Sequence, residues 1–249
     1  APAELRLVAL RGVPAVRPGD DLAALLRAAA TAQGLRLRSG VLVVAQKIVS
    51  KAEGRVVRLA HGGPPAEARR IAEGDGKDPR HVEVVLRETA RVVRHARGVW
   101  IAETRHGFVC ANAGVDLSNA PGADTAVLLP LDPDASARRL RDAFAAAGEA
   151  PLAVIISDTF GRPWREGLVD VAIGSAGLAP IADWRGRQDL AGRPLEVTAM
   201  ALVDQLAAAA GLLMGKDAGV PAVWIEGVPP GGEGSVRQLL RDPAGDLFR

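Results

Sequence analysis

Residues 152–167 read LAVIISDTFGRPWREG, and the rest of the chain is best read outward from them. Residues 152–156 are apolar and β-rich, and too few for a helix, which is the pattern of a strand buried on both faces. The predicted strand ends on Asp158 and Thr159 and runs into a tight loop carrying Arg162 and Arg165. Two hard oxygen donors at a strand mouth, with two guanidinium groups beyond, suit a divalent cation holding a phosphorylated ligand. A strand-end Asp capping a turn accounts for the same residues. Both readings stay open on this stretch alone.

A second stretch bears on the choice. Residues 112–119, NAGVDLSN, follow a short apolar strand, GFVCA, and place Asp116 three residues before Asn119. A lone Asp in such a loop is usually an Asx-turn. Here, however, two separate strands each deliver an acid to a loop. If the two meet, they repel unless a cation lies between them.

The composition excludes several classes. Hydrophobic residues are 48% and charged residues 24% of the 249, ordinary for a globular protein large enough for a sizeable core. The formal charge is only +2, the arginines are scattered and aromatics are 3%, so nothing marks a nucleic-acid partner. One cysteine, Cys110, forbids an internal disulfide, and His61, His81, His95 and His106 lack metal-ligand spacing. No apolar run reaches the ~18 residues of a membrane span. The opening APAELRLVAL has no basic-then-apolar leader layout, so the expectation is a cytoplasmic protein. Only four of 31 basic residues are lysine, and two of them, Lys47 and Lys51, share the segment QKIVSK. Lysines that persist against such an arginine bias suit roles needing a compact ammonium.

Along the chain, strands are expected at 5–10, 41–45, 56–59, 92–94, 99–102, 108–111, 152–156, 168–173 and 222–225. Helices are expected at 22–33 (capped by Asp20 or Asp21), 66–73, 81–89, 132–146 and 198–214, with a short one from Ser235. The QKIVSK segment reads as a turn, with a phosphate-steering lysine as the alternative, and 56–59 as an extension of the strand at 41–45. Without a regular βαβ beat the fold is α+β (mixed α/β), with mixed and antiparallel sheets, and neither a Rossmann nor a P-loop fold. GLLMGKD at 211–217 is one residue short of a Walker A loop and has Asp217 where the hydroxyl belongs. It reads as a helix C-cap before Pro221, although Gly215, Lys216 and Gly219 also make a basic turn fit for phosphate. No Ser–His–Asp or Cys–His arrangement supports a covalent nucleophile.

Taken together, VVAQKIVSKAEG, FVCANAGVDLSN, ISDTFGRPWREG and MGKDAGVPAVWIEG stand in an order that resembles the gamma-glutamyl ligases of deazaflavin coenzyme F-420 biosynthesis. The resemblance runs from about residue 5 to 228. It implies an enzyme that uses GTP and Mg²⁺ or Mn²⁺ to attach L-glutamate to the coenzyme precursor. It also implies two intertwined lobes, a homodimer, and a single ligase domain over 1–249 without the flavin-binding reductase domain of some relatives. By the same resemblance, Asp116 and Asp158 are the catalytic, metal-binding acids, and Thr159 joins them on the metal. Asn119, Gln46, Lys51 and the loop Val13, Pro14, Ala15 and Val16 contact the nucleotide. Arg162 and Arg165 are expected on acidic substrate groups. Lys216 departs from the acidic or amide residue common after the MG, which puts a second metal contact there in doubt. The competing expectations are a GTP- and metal-dependent phosphoryl or acyl transferase on another acidic substrate, and a non-catalytic deazaflavin-binding protein.

Overall fold

The computed structural model describes residues 4–59, 62–148 and 152–246; His61 lies outside them. Strand β1 (Arg6–Ala9) leads through a long loop to α1 (Leu22–Ala32), whose N-cap Asp21 accepts from the Ala24 N–H at 3.0 Å. Then come β2 (Gly40–Ala45), α2 (Gln46–Ala52) and β3 (Val56–Arg58). Helices α3 (Ala66–Asp75) and α4 (Pro79–Glu88) follow, the second started by Asp78 and Pro79. Strands β4 (Thr89–Ala96), β5 (Val99–Thr104), β6 (Val109–Ala111) and β7 (Thr125–Val127) precede α5 (Pro133–Ala146), capped by Asp132. The last third holds β8 (Leu152–Arg162), β9 (Arg165–Ala176), β10 (Ile181–Asp183), β11 (Ala199–Ala201), α6 (Leu202–Gly211) and β12 (Ala222–Glu226). A 3₁₀ turn, Val236–Leu239, begins after its cap Ser235.

The central sheet has the order β1-β12-β2-β8-β9, antiparallel throughout except for the parallel pair β2–β8. Strands β4-β5-β6 form an antiparallel sheet, and β3-β7 and β10-β11 form small two-stranded ones. This is the α+β class, with no regular βαβ beat. Residues 152–156 are buried on both faces, as are residues 41–44 beside them. The apolar runs in these two strands thus make the floor of the main core, with Trp224 and Phe144 fully buried against them. A smaller cluster, including Leu59, Val84, Val115 and Leu128, lies under β3, β7 and α4. No described helix is long and apolar enough to cross a membrane.

Four elements depart from the expectation. Strand β8 does not stop at Asp158; it pairs with β9 as far as Arg162 opposite Arg165. Its outer half carries Asp, Gly and Arg and is largely exposed, so apolarity could not reveal it. Only Pro163 and Trp164 make the turn, Trp164 at φ +57°, where glycine is usual. QKIVSK is a helix, not a turn, because Gln46, Val49 and Ser50 bury one helical face. Residues 56–58 do not extend β2; they pair with β7, outside the central sheet. The helix expected over 198–214 is shorter: residues 199–201 pair with β10, and α6 ends at Gly211.

Gly174 lets the N-terminus of α5 lie directly on β9, since a Cβ there would run into the Pro133 backbone. Gly174→Ala should therefore cost ~2 kcal/mol and lower the melting temperature by ~4–8 °C. An unchanged thermal melt would contradict this packing.

Candidate active site

The parallel register sets Ala45 opposite Ser157, so the C-terminal end of β2 lies beside the middle of β8, where its buried half gives way to the exposed half. Strand β12 runs antiparallel to β2, with Ala222 opposite Val44, so the loop preceding β12 arrives at the same sheet end. The Ala45 N–H donates to the Pro221 carbonyl at 2.9 Å, fastening that loop down. Strand β1 in turn ends beside β12, the Leu10 N–H donating to the Ala222 carbonyl at 2.9 Å. The start of α2, the outer half of β8 and the loops after β1 and before β12 therefore converge at one place, where ligands of open sheets commonly bind.

Between them is a cleft of about 320 Å³. Its walls include Val13, Pro14, Ala15, Val16, Gln46, Lys51, Asn119, Asp158 and Thr159, all singled out in the sequence. Lys47, Asp170 and the segment holding Met214, Gly215, Lys216 and Gly219 complete it. Lys47 and Lys51 are four apart on α2, which is why both reach the same opening. That i, i+4 spacing was the missed signal of QKIVSK. Asp170 also left a trace, as the one acid within an apolar strand. The 214–219 segment lines the wall as well as following a helix end, so the choice between a C-cap and a ligand loop was not exclusive.

The two acids are brought to the same place. The NAGVD loop passes through three consecutive left-handed residues, Asn112, Ala113 and Gly114. Gly114 is required twice over, by its φ of +72° and by Leu129, whose Cγ would lie 2.7 Å from an added Cβ. Asp116 then bridges to Val127 of β7, through Asp116 N–H to Val127 O at 3.0 Å and the reverse at 2.8 Å. One Asp116 oxygen accepts from the Ser118 N–H at 2.7 Å, which is the Asx-turn. The other lies 2.7 Å from Lys47 Nζ, so the turn and the ionic site coexist. Burial alone would raise the Asp116 pKa, but Lys47 and Ser118 outweigh it and hold the carboxyl below its usual range.

Asp158 has no such compensation. It sits beside the β-bulge between Ile156 and Ser157, a feature that re-aims side chains near sites. Burial raises its pKa to about 6, the charges of Asp116 and Asp170 add to that, and the Thr159 N–H and Lys47 only partly offset it. The Cys110 thiol behind it is pushed up to about 12, by burial first and then by the Asp158 charge. Thr159 donates its hydroxyl to Asp170 Oδ1 at 2.6 Å, directly across the hairpin, leaving oxygen lone pairs available to a cation. Burial, then the neighbouring Lys47, lowers the Lys51 pKa.

Among the described residues no three His, Cys, Asp or Glu side chains converge enough to hold a metal ion by themselves. Asp116, Asp158 and the Thr159 hydroxyl are a partial, hard oxygen set. Such a set suits Mg²⁺ or Mn²⁺ completed by phosphate oxygens and water rather than an all-protein cage. Gln46 is buried and donates to Ser50 Oγ at 2.7 Å and to the Leu128 carbonyl at 2.9 Å, so its amide protons are committed to the scaffold. Asn119 Nδ2 reaches the Lys216 carbonyl at 3.5 Å across the cleft mouth. Asp116, Arg162 and Arg165 are not among the lining residues: Asp116 adjoins the cleft through Lys47, whereas the arginines flank the exposed hairpin turn, Arg162 donating to the Glu166 carbonyl at 3.3 Å.

The family model for F420-0:Gamma-glutamyl ligase matches residues 12–227. The chain is 49% identical to the coenzyme F420:L-glutamate ligase of Methanothermobacter thermautotrophicus, over 98% of this chain and 99% of that protein. It is 48% identical to the protein of that name from Methanopyrus kandleri, over 94% and 93%. With the one from Haloarcula marismortui it shares 42%, over 98% and 96%.

The electrostatics make a prediction for the ligand-free protein. An acid whose folded pKa of about 6 exceeds the unfolded ~3.9 loses stability as pH rises through that window, and keeps the full penalty above it. Asp158→Asn should thus stabilise the apo protein by ~1–3 kcal/mol at pH 8 and leave it unchanged at pH 4. Equal melting temperatures at pH 8 would contradict a penalised Asp158.

Proposed function

Because the chain belongs to the F420-0:gamma-glutamyl ligase family, we propose that it attaches L-glutamate to the deazaflavin coenzyme precursor, using GTP and a divalent cation. The observation that carries this reading is one cleft at the sheet end lined by Asp158, Thr159 and three lysines, one of which, Lys47, holds Asp116 at 2.7 Å. A carboxylate is a poor acyl donor, so amide formation needs activation, here through an acyl phosphate. The precursor's carboxylate takes the γ-phosphoryl group and GDP leaves. The glutamate amine then attacks the acyl carbon, phosphate departs and the amine gives up a proton.

The residues divide this work. Asp116, Asp158 and Thr159 would hold Mg²⁺ or Mn²⁺, which when bound neutralises charge on the phosphates. Lys51 and Lys216 add screening from the α2 and 214–219 sides of the cleft. The loop 13–16 and Asn119 border the same opening and are suited to fixing the nucleotide, while Gln46 keeps α2 in place. Burial around Asp158 strengthens every charge interaction in the site. Arg162 and Arg165, on the hairpin turn, would meet the acidic groups of precursor or glutamate from outside the cleft.

The same hairpin bears on assembly. Trp164 is 78% and Leu168 61% exposed on it. A protruding strand pair with such side chains supports a homodimer, the hairpin of one subunit covering its partner.

The test is mass spectrometry of the glutamate-free precursor incubated with the protein, L-glutamate, GTP and Mn²⁺. Product heavier by one or more glutamyl residues and absent without GTP is expected. Asp158→Asn should abolish it; an unchanged yield would remove Asp158 from the mechanism. In Arg162→Met, a KM for precursor or glutamate raised ~10-fold is expected, and an unchanged KM would leave the arginine a loop brace.

A further inference from the structure

The Asp116 carboxylate has two oxygens, and both are engaged. One accepts from the Ser118 N–H and the other from Lys47 Nζ, each at 2.7 Å. The same ammonium donates to Ser118 Oγ, also at 2.7 Å, so it is held at two points. Lys47 is 19% exposed in this position, and its side chain lines the cleft. Each Asp116 oxygen keeps a second lone pair, and a cation can approach the one that Lys47 holds without disturbing the turn. A divalent ion bonded to that oxygen at ~2.1 Å would stand within ~4 Å of the ammonium, an arrangement of strong repulsion. Lys47 and the cation therefore compete for one place.

The ammonium has somewhere to go. It extends from a helix face that also carries Lys51, toward a cleft that would hold phosphates. Its four-carbon stem lets it turn from Asp116 to a phosphate without any change in the backbone. Building on the reading that this cleft takes GTP and a divalent cation, we propose that Lys47 occupies the cation's place in the resting protein. It leaves only when a phosphate ligand accepts its charge. The cation then binds with the nucleotide and not to the free protein, which keeps the two acids from holding an idle ion.

The test measures Mn²⁺ uptake by the full chain, from the electron paramagnetic resonance signal of free Mn²⁺. Titrations are run with and without a non-hydrolysable GTP analogue. Wild type should bind Mn²⁺ weakly alone and much more tightly with the analogue. Lys47→Met should bind Mn²⁺ alone ~10-fold or more tighter than wild type, because nothing competes for Asp116. Lys47→Arg, which keeps the charge, should stay weak. A role confined to bracing the loop predicts weaker Mn²⁺ binding in Lys47→Met, never tighter. Ser118→Ala removes one hold on Lys47 and neither acid, so a smaller tightening is expected; it serves as the test should Lys47→Met not fold. No tightening in a folded Lys47→Met that does bind Mn²⁺ with the analogue overturns this inference alone. Wild type that binds Mn²⁺ equally well with and without the analogue does the same. No Mn²⁺ binding by any variant, analogue present, overturns the metal reading along with it.

Discussion

Everything at the site depends on the parallel pairing of β2 with β8. A residue-for-residue register from Gly40 opposite Leu152 to Ala45 opposite Ser157 sets α2 and Asp158 next to each other. A slip of one residue would turn Asp158 to the opposite face and separate it from Lys47. The register is held because residues 41–44 and 152–156 are apolar on both faces and buried, so neither segment can slide without exposing a row of valines and isoleucines. Burial that stabilises the sheet thus also fixes the geometry of a polar cleft at its edge. Strands β1 and β12 follow from the same pairing, and they bring the loops 10–19 and 212–221 to the same end.

The cleft is electrostatically unfinished. Asp116 is satisfied by Lys47 and Ser118, whereas Asp158 is penalised by its surroundings and faces a second and a third acid. Lys47, Lys51 and Lys216 supply positive charge around them, and burial makes that charge costly at Lys51. One pair of opposite charges, Lys47 and Asp116, is joined at 2.7 Å, while Asp158 and Lys51 carry charge at a cost in a partly dry space. A ligand that brings phosphates and a cation together completes both halves at once, which is the physical basis for reading this as a metal–nucleotide site.

Much of this was legible before the structure. The double-sided apolarity of residues 152–156 gave the central strand, Asp20 or Asp21 and then Asp132 marked two helix starts, and the two acid-bearing stretches pointed to residues that the fold brings near one another. What was hidden had particular causes. The outer half of β8 is a hairpin held by β9 rather than by a core, and its Gly and Pro look like a loop. Helix α2 is only seven residues long, and its Ile48 and Val49 favour strands, so its periodicity was easily taken for a turn. Asp170 enters through a cross-strand partnership with Thr159 that no local pattern records. Arg162 and Arg165 are adjacent to the acids in sequence, but the hairpin carries them away from the cleft.

The central claim is that Asp116 and Asp158 share one cation with a bound nucleotide. Its most direct test is a crystal structure with Mn²⁺ and a non-hydrolysable GTP analogue, read from the anomalous difference map at the manganese edge. The account predicts a peak within coordination distance of Asp116, Asp158 and the phosphates, with Lys47 turned away from Asp116. A manganese peak elsewhere, or nucleotide bound in a different cavity, would contradict it.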